Sequence, residues 1–251
     1  MHSLPQQWSH GGLTLLQLPV LKDNYVYLIH SAITREVTVI DPAVSMPVIM
    51  ALQQQGWKLT HIFNTHHHGD HVGGNRELVQ ACGCKVFGYV GDAARIPHIT
   101  TRVNASEQFE WGRAKVEVLF LAGHTSGHIA YYFPEQGWLF CGDVVFMMGC
   151  GRLFEGTPAQ MFASLQRVQQ LPDETLIFCA HEYTEHNGNF ALTVEGSNPA
   201  LVARMEQVRA ARQRNQATVP ATLAMEKQTN PFLRAHTLEA FAALREARNS
   251  F

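Results

Sequence analysis

The chain has 251 residues, 46% apolar and 16% charged, with a formal net charge of −2. That length buries a substantial core without disulfides, and the balance gives no general attraction for nucleic acid or anionic membranes. No Lys or Arg precedes an apolar run in the first ten residues, and no stretch approaches the ~18 apolar residues of a spanning helix, so a cytoplasmic protein is expected.

Along the first two thirds, short apolar strands are predicted at 13–21, 25–30, 36–41, 61–65, 85–89, 115–122, 129–133, 137–141 and 175–180. Two helices interrupt them. One opens at Ser45, an expected N-cap, with Pro47 in its first turn and Gly56 at its end. The other opens at Thr157-Pro158, aligns Met161, Leu165 and Val168, and stops at Pro172. Many strands with sparse helices predict a layered α/β architecture.

Beyond about residue 182 helical periodicity takes over, which divides the chain into 1–181 and an α-helical part, 182–251. Asn198 and Pro199 open a helix with Leu201, Met205 and Val208 on one face. A terminal helix over 238–248 turns Phe241 and Leu244 inward and sets Arg245 and Arg248 together on another face, which reads equally well as a solvated surface.

Five cysteines, odd in number and irregularly spaced, predict reduced thiols, and Cys82-Gly83-Cys84 is too closely spaced for a zinc pair. The fourteen histidines are the anomaly. Six consecutive residues after the 61–65 strand read His66-His67-His68-Gly69-Asp70-His71. In an extended segment alternate residues share a side, and a turn at Gly69 redirects Asp70 and His71, so two adjacent ions can be served. Three later strand ends each add a histidine or aspartate: Gly123-His124-Thr125-Ser126-Gly127-His128, Gly142-Asp143 and His181-Glu182-Tyr183. Each alone is as well explained as a core histidine or a capping aspartate; their recurrence at strand ends carries the argument.

The order H-x-H-x-D-H, G-H-T-x-G-H, G-D and a late histidine resembles the metallo-β-lactamase superfamily. Gly149-Cys150-Gly151-Arg152-Leu153-Phe154-Glu155-Gly156-Thr157 and His181-Glu182-Tyr183-Thr184 are similar to glyoxalase II, the hydroxyacylglutathione hydrolases. The resemblance implies a four-layer αββα sandwich with a C-terminal helical domain that binds substrate. It implies two divalent ions, zinc first with iron or manganese as alternatives. His66, His68 and His124 would hold one, Asp70, His71 and His181 the other, and Asp143 would bridge them and hold the hydroxide between them. Asp70 would also assist proton handling. Bound zinc lowers the pKa of water from ~15.7 toward ~7, which supplies a nucleophile at neutral pH.

The implied substrate is the small molecule S-D-lactoylglutathione, hydrolysed to glutathione and D-lactate, with Arg152, Tyr183, Arg245 and Arg248 around the glutathione and with no nucleic acid, membrane or second subunit required. His67 and His128 have no ligand role in this pattern. Asp41 is read either as orienting a ligating imidazole or as a plain turn before Pro42, and Phe154 as packing. The metal motifs alone leave open a lactonase, a phosphodiesterase, a β-lactamase or a glutathione persulfide dioxygenase on the same scaffold. The histidine count alone leaves open a non-catalytic metal-binding protein.

Overall fold

The computed structural model describes residues 5–251. These form two compact units, one from 5–120 with Ile129–Gln136 and one from Leu121–His128 with Gly137–Phe251.

The first unit contains β1 (Gln6–His10), β2 (Leu13–Val20), β3 (Asn24–Ser31), β4 (Val37–Ile40), α1 (Met46–Gln55), β5 (His61–Phe63), α2 (Gly69–Val72), α3 (Asn75–Cys82), β6 (Lys85–Tyr89), β7 (Thr101–Val103), β8 (Gln108–Trp111), β9 (Ala114–Phe120) and β10 (Ile129–Phe133). Among the described residues β1 to β7 lie side by side in sequence order. Pairing is antiparallel from β1 to β4 and parallel from β4 to β7. The change follows from connection length: short turns allow hairpins, whereas α1 and α3 supply the long crossovers that parallel neighbours need.

Parallel strands are covered on both faces and so read as apolar runs, as Val37, Val39, Ile40, Ile62 and Phe63 do here, all buried. Val26, Leu28, Val39, Ile62 and Val86 share one core with Val48 and Leu52 of α1 and Leu78 of α3. Phe63 packs instead against the antiparallel β8-β9-β10 sheet, 5.7 Å from Phe109 and 4.9 Å from Tyr131 between ring centres. Helices on one face and a second sheet on the other make this unit a layered α/β structure.

Helix α1 ends where expected, with Gly56 left-handed at φ +65. Its start differs from the expectation: the Ser45 side chain does not cap the helix but hydrogen-bonds the Glu77 carboxylate of α3.

The second unit contains β11 (Trp138–Gly142), β12 (Val145–Phe146), β13 (Gly149–Cys150), α4 (Pro158–Gln169), β14 (Leu176–Cys179), α5 (Thr184–Glu195), α6 (Pro199–Gln213), β15 (Ala221–Thr222), α7 (Leu223–Thr229), α8 (Pro231–Arg234) and α9 (Leu238–Asn249). Strand β14 pairs parallel with β11 and antiparallel with β15, a two-residue strand too short for periodicity to reveal. Helix α4 starts with the capping box of Thr157 and Gln160 and buries Met161, Leu165 and Val168. Asn198 caps α6 through the backbone N–H groups of Ala200 and Leu201. Helices α5 and α6 bury Ala191, Leu201, Met205 and Val208 around Met148. A Cβ at Gly188 would lie 2.0 Å from the Met205 sulfur, so a side chain there would make the Met205 thioether move.

In α9, Phe241 is buried as expected and Leu244 is half-buried, but the arginines depart from a solvated-face reading: Arg245 and Arg248 are themselves buried. No helix among the described residues is long and apolar enough to cross a membrane.

Candidate metal centre and substrate cavity

In the first unit, β4 and β5 run parallel and end together, which puts Asp41 beside the histidine-rich loop that starts at Thr65. Asp41 accepts hydrogen bonds from the Thr65 backbone N–H at 2.8 Å, the Thr65 hydroxyl at 2.6 Å and His71 Nδ1 at 3.0 Å. A carboxylate only accepts, so His71 carries its proton on Nδ1 and keeps the Nε2 lone pair. The Thr65 hydroxyl, its proton committed to Asp41, accepts from His66 Nδ1 at 3.1 Å. His66 therefore also presents Nε2, which lies 3.1 Å from His68 Nδ1.

Asp41 thus orients a ligand-type imidazole directly and a second one through Thr65, and it does so from a left-handed backbone, φ +49, that a non-glycine residue rarely adopts. Replacing Asp41 with Asn should weaken metal binding by about 10–100-fold, the usual cost of removing a group that orients a ligand. Chelator competition measures it, and wild-type affinity in the variant would exclude the orienting role.

Asp70 accepts from the Asn24 side-chain amide at 3.1 Å, and its Oδ2 lies 3.7 Å from His71 Nε2. His67 turns elsewhere. Arg95 donates to its Nε2 at 3.2 Å, so its Nδ1 donates to Asp92 at 3.2 Å, and neither nitrogen is offered to a metal.

In the second unit, the His124 Nδ1–H donates to the Arg152 carbonyl at 2.9 Å, which puts the lone pair of the neutral ring on Nε2. That Nε2 is 3.3 Å from Asp143 Oδ2, while His181 Nε2 is 3.5 Å from Asp143 Oδ1. The two oxygens of one buried carboxylate thus face two different imidazoles. The His124 lone pair aimed at a carboxylate is a repulsive arrangement for a neutral histidine, and a divalent cation suits that donor set. His128 has another duty: its Nε2 accepts the Asp143 backbone N–H at 3.2 Å. A Cβ at Gly151 would lie 1.9 Å from the Asp143 carbonyl oxygen, so a side chain there would displace the aspartate.

Next to His124 and Asp143 opens a cavity of about 380 Å³, lined also by Arg152, Tyr183, Arg245 and Arg248. Phe154 borders it edge-on to His124, at 5.2 Å. Tyr183 stacks on His181 at 4.7 Å, with the rings 5° from parallel. Among the described lining residues Asp143 is the one carboxylate. The guanidiniums consequently crowd one another: burial, then Arg245 and Arg152, hold the Arg248 pKa below its ordinary value. Burial, then Arg248 and Arg152, likewise lower His186. Such a field favours an anion.

Arg245 is also structural, since its Nη1 donates to the Cys150 carbonyl at 2.9 Å, and Arg248 donates to Asn187 Oδ1 at 3.2 Å. His186, Asn187, Phe146 and Cys150 line the cavity as well and were not singled out from the sequence. His186 and Asn187 carried a usable signal, lying three and four residues after Tyr183 on the helix that follows it.

Residues 21–181 match a family model for the metallo-beta-lactamase superfamily, and residues 182–251 match one for the hydroxyacylglutathione hydrolase C-terminus. The chain belongs to the hydroxyacylglutathione hydrolase family of the metallo-β-lactamase superfamily. It is 52% identical to a hydroxyacylglutathione hydrolase of Methylococcus capsulatus, over 92% of this chain and 91% of that one. It is 48% identical to one of Rhodospirillum rubrum, over 90% and 89%. Among solved structures it is similar to ETHE1 from Myxococcus xanthus, with 27% identity, a TM-score of 0.69, and 97% and 90% of the chains covered. A di-iron-bound form of TTHA1623 is 27% identical, with a TM-score of 0.60 and 86% and 98% covered. The α/β sandwich with a C-terminal helical region is the fold of this hydroxyacylglutathione hydrolase family member.

Proposed function

We propose that this member of the family hydrolyses S-D-lactoylglutathione to glutathione and D-lactate with the help of two divalent ions. The observation that carries the reading is the Asp143 carboxylate, with one oxygen toward His124 and the other toward His181, at the end of an arginine-lined cavity. We assign His66, His68 and His124 to one ion, Asp70, His71 and His181 to the other, and Asp143 to both. The assignment rests on the family pattern and on the lone pairs that Asp41, Thr65 and the Arg152 carbonyl leave on His71, His66 and His124. Zinc leads, although histidine and carboxylate ligands also accept iron and manganese.

When bound, such ions supply a water acidic enough to act as nucleophile near neutral pH and a positive field for the carbonyl oxygen. The protein does the rest. Arg152 and Arg248 hold the carboxylates of glutathione, Arg245 holds the cavity wall and adds positive field, and Tyr183 offers a hydroxyl. Water adds to the thioester carbon, the C–S bond breaks, and the glutathione sulfur leaves as a thiolate. With a thiol pKa near ~8.5 this leaving group needs no dedicated acid. Asp70, steadied by the Asn24 amide, serves as ligand first and takes part in proton handling.

A division of labour with 1–181 catalytic and 182–251 binding substrate is supported by the separate family models that match 21–181 and 182–251. Five free thiols suit a reducing compartment, which supports a cytoplasmic role, and a small-molecule substrate calls for no further subunit.

Measuring metal per chain and hydrolysis of S-D-lactoylglutathione in one preparation tests the reading. The expected result is two equivalents of metal with turnover, lost on chelation and restored by added zinc. Full metal content with no thioester hydrolysis would sink it.

A further inference from the structure

Strands β12 and β13 form a hairpin in which Phe146 pairs with Gly149, leaving Met147 and Met148 as its turn. Two-residue turns ordinarily draw their left-handed residues from Gly, Asn or Asp. Here the left-handed position is Met148, at φ +55, and both methionines are buried. Local chemistry therefore does not favour this turn, yet the hairpin carries Phe146 and Cys150 to the cavity wall and leads directly into Arg152.

The conformation is held from outside, through the backbone. The Met148 N–H donates to Glu226 Oε2 at 2.8 Å. The Asn230 side-chain amide donates to the carbonyls of Phe146 at 3.1 Å and Gly149 at 2.9 Å, and to Glu226 Oε2 at 3.0 Å. Asn187 donates to the Met147 carbonyl at 3.2 Å. Glu226 is held in turn by Arg204, whose guanidinium donates to Glu226 Oε1 at 2.5 Å and to the Thr229 hydroxyl at 2.5 Å. Glu226 and Asn230 are fully buried, and Arg204 nearly so.

A buried ion pair is a poor device for stability alone, because apolar side chains of the same volume do as well or better. Its value lies in specifying one geometry. Here every anchor falls on one strained hairpin, and the carbonyl of Arg152, two residues beyond it, accepts from the His124 ring. We propose that Glu226 and Asn230 are positioning residues for the substrate cavity, holding the β12-β13 hairpin in the shape that places Arg152. Neither residue lines the cavity. The functional part of this inference rests on the proposed glutathione thioester reaction.

Asn230→Asp tests it cleanly. The substitution keeps the size of the residue and the oxygen that caps α8 through the Phe232 N–H, but it replaces the amide donors facing two carbonyls and a carboxylate with an acceptor. The expected result is a KM for S-D-lactoylglutathione raised about tenfold with kcat changed less than about threefold, as for lost uniform binding. Hydrolysis of a small thioester without the glutathione peptide, S-D-lactoyl-N-acetylcysteamine, should change less than about threefold, as for kcat, and backbone hydrogen exchange over 144–154 should accelerate.

A purely structural role would instead lower activity toward both thioesters alike, in proportion to the folded fraction, and that result overturns the proposal. So does an unchanged KM, or unchanged exchange over 144–154. Should Asn230→Asp fail to fold, Glu226→Gln, which keeps an acceptor for the Met148 N–H but sets an amide against Asn230, carries the same readouts. Wild-type protein that binds metal yet hydrolyses neither thioester would overturn the proposed reaction, and with it this role.

Discussion

Replacing Asp143 with Asn should cut the rate of S-D-lactoylglutathione hydrolysis on the order of a thousandfold, the upper scale seen when a group opposing developing charge is lost from an active site. The expectation follows from the two faces of the carboxylate. Each oxygen lies within 3.5 Å of a different imidazole Nε2. An amide of the same shape keeps one acceptor and turns an N–H toward the other histidine, so that histidine's lone pair is occupied by a proton instead of a cation. The site also loses the one carboxylate among the described residues that line the cavity. Metal analysis should show less than two equivalents, while the fold persists because the Asp143 backbone N–H to His128 is unaffected. Full metal content and a normal rate in Asp143→Asn would remove the residue from the bridging role.

The double substitution of Arg152 and Arg248 with Ala should raise KM for the glutathione thioester by about 10–100-fold, from charge-assisted hydrogen bonds that contribute roughly 1.5–3 kcal/mol each, with non-additivity. The change in kcat should be small, because these side chains bind the part of the substrate that does not react. Arg245→Ala should behave differently from the exposed Arg152→Ala. Its guanidinium holds the Cys150 carbonyl at 2.9 Å, so its loss strands a buried acceptor and should destabilise the fold by about 1–3 kcal/mol in addition to raising KM. Urea unfolding separates the two effects: a midpoint that falls for Arg245→Ala and holds for Arg152→Ala is expected. Equal KM values in wild type and the double variant would remove both arginines from the substrate site.

These arginines show how far the sequence could be read. Helical spacing correctly places Arg245 and Arg248 on one side of α9, yet a helix alone has no means of stating whether that side meets water or protein. The answer came from Phe232, Phe190 and the Cys150 carbonyl, which are distant in sequence and close in space to the guanidiniums. Asp41 is similar. Before Pro42 it reads equally well as a turn residue, and only the parallel register of β4 and β5 brings its carboxylate to Thr65 and His71.

By itself the sequence determined what depends on neighbours along the chain: the apolar runs of the parallel strands, the caps at Thr157, Asn198 and Gly56, and the dense His66 to His71 segment. These signals are local, since capping, periodicity and ligand spacing act over a few residues. Tertiary structure alone decided which nitrogen His66, His71 and His124 present, why His67 and His128 are otherwise engaged, and how Glu226 and Asn230 hold a turn that lies some eighty residues away. The physical reason is common to all of them. A tautomer, a buried charge or a strained turn is set by the partner that meets it, and that partner is chosen by how the chain folds back on itself.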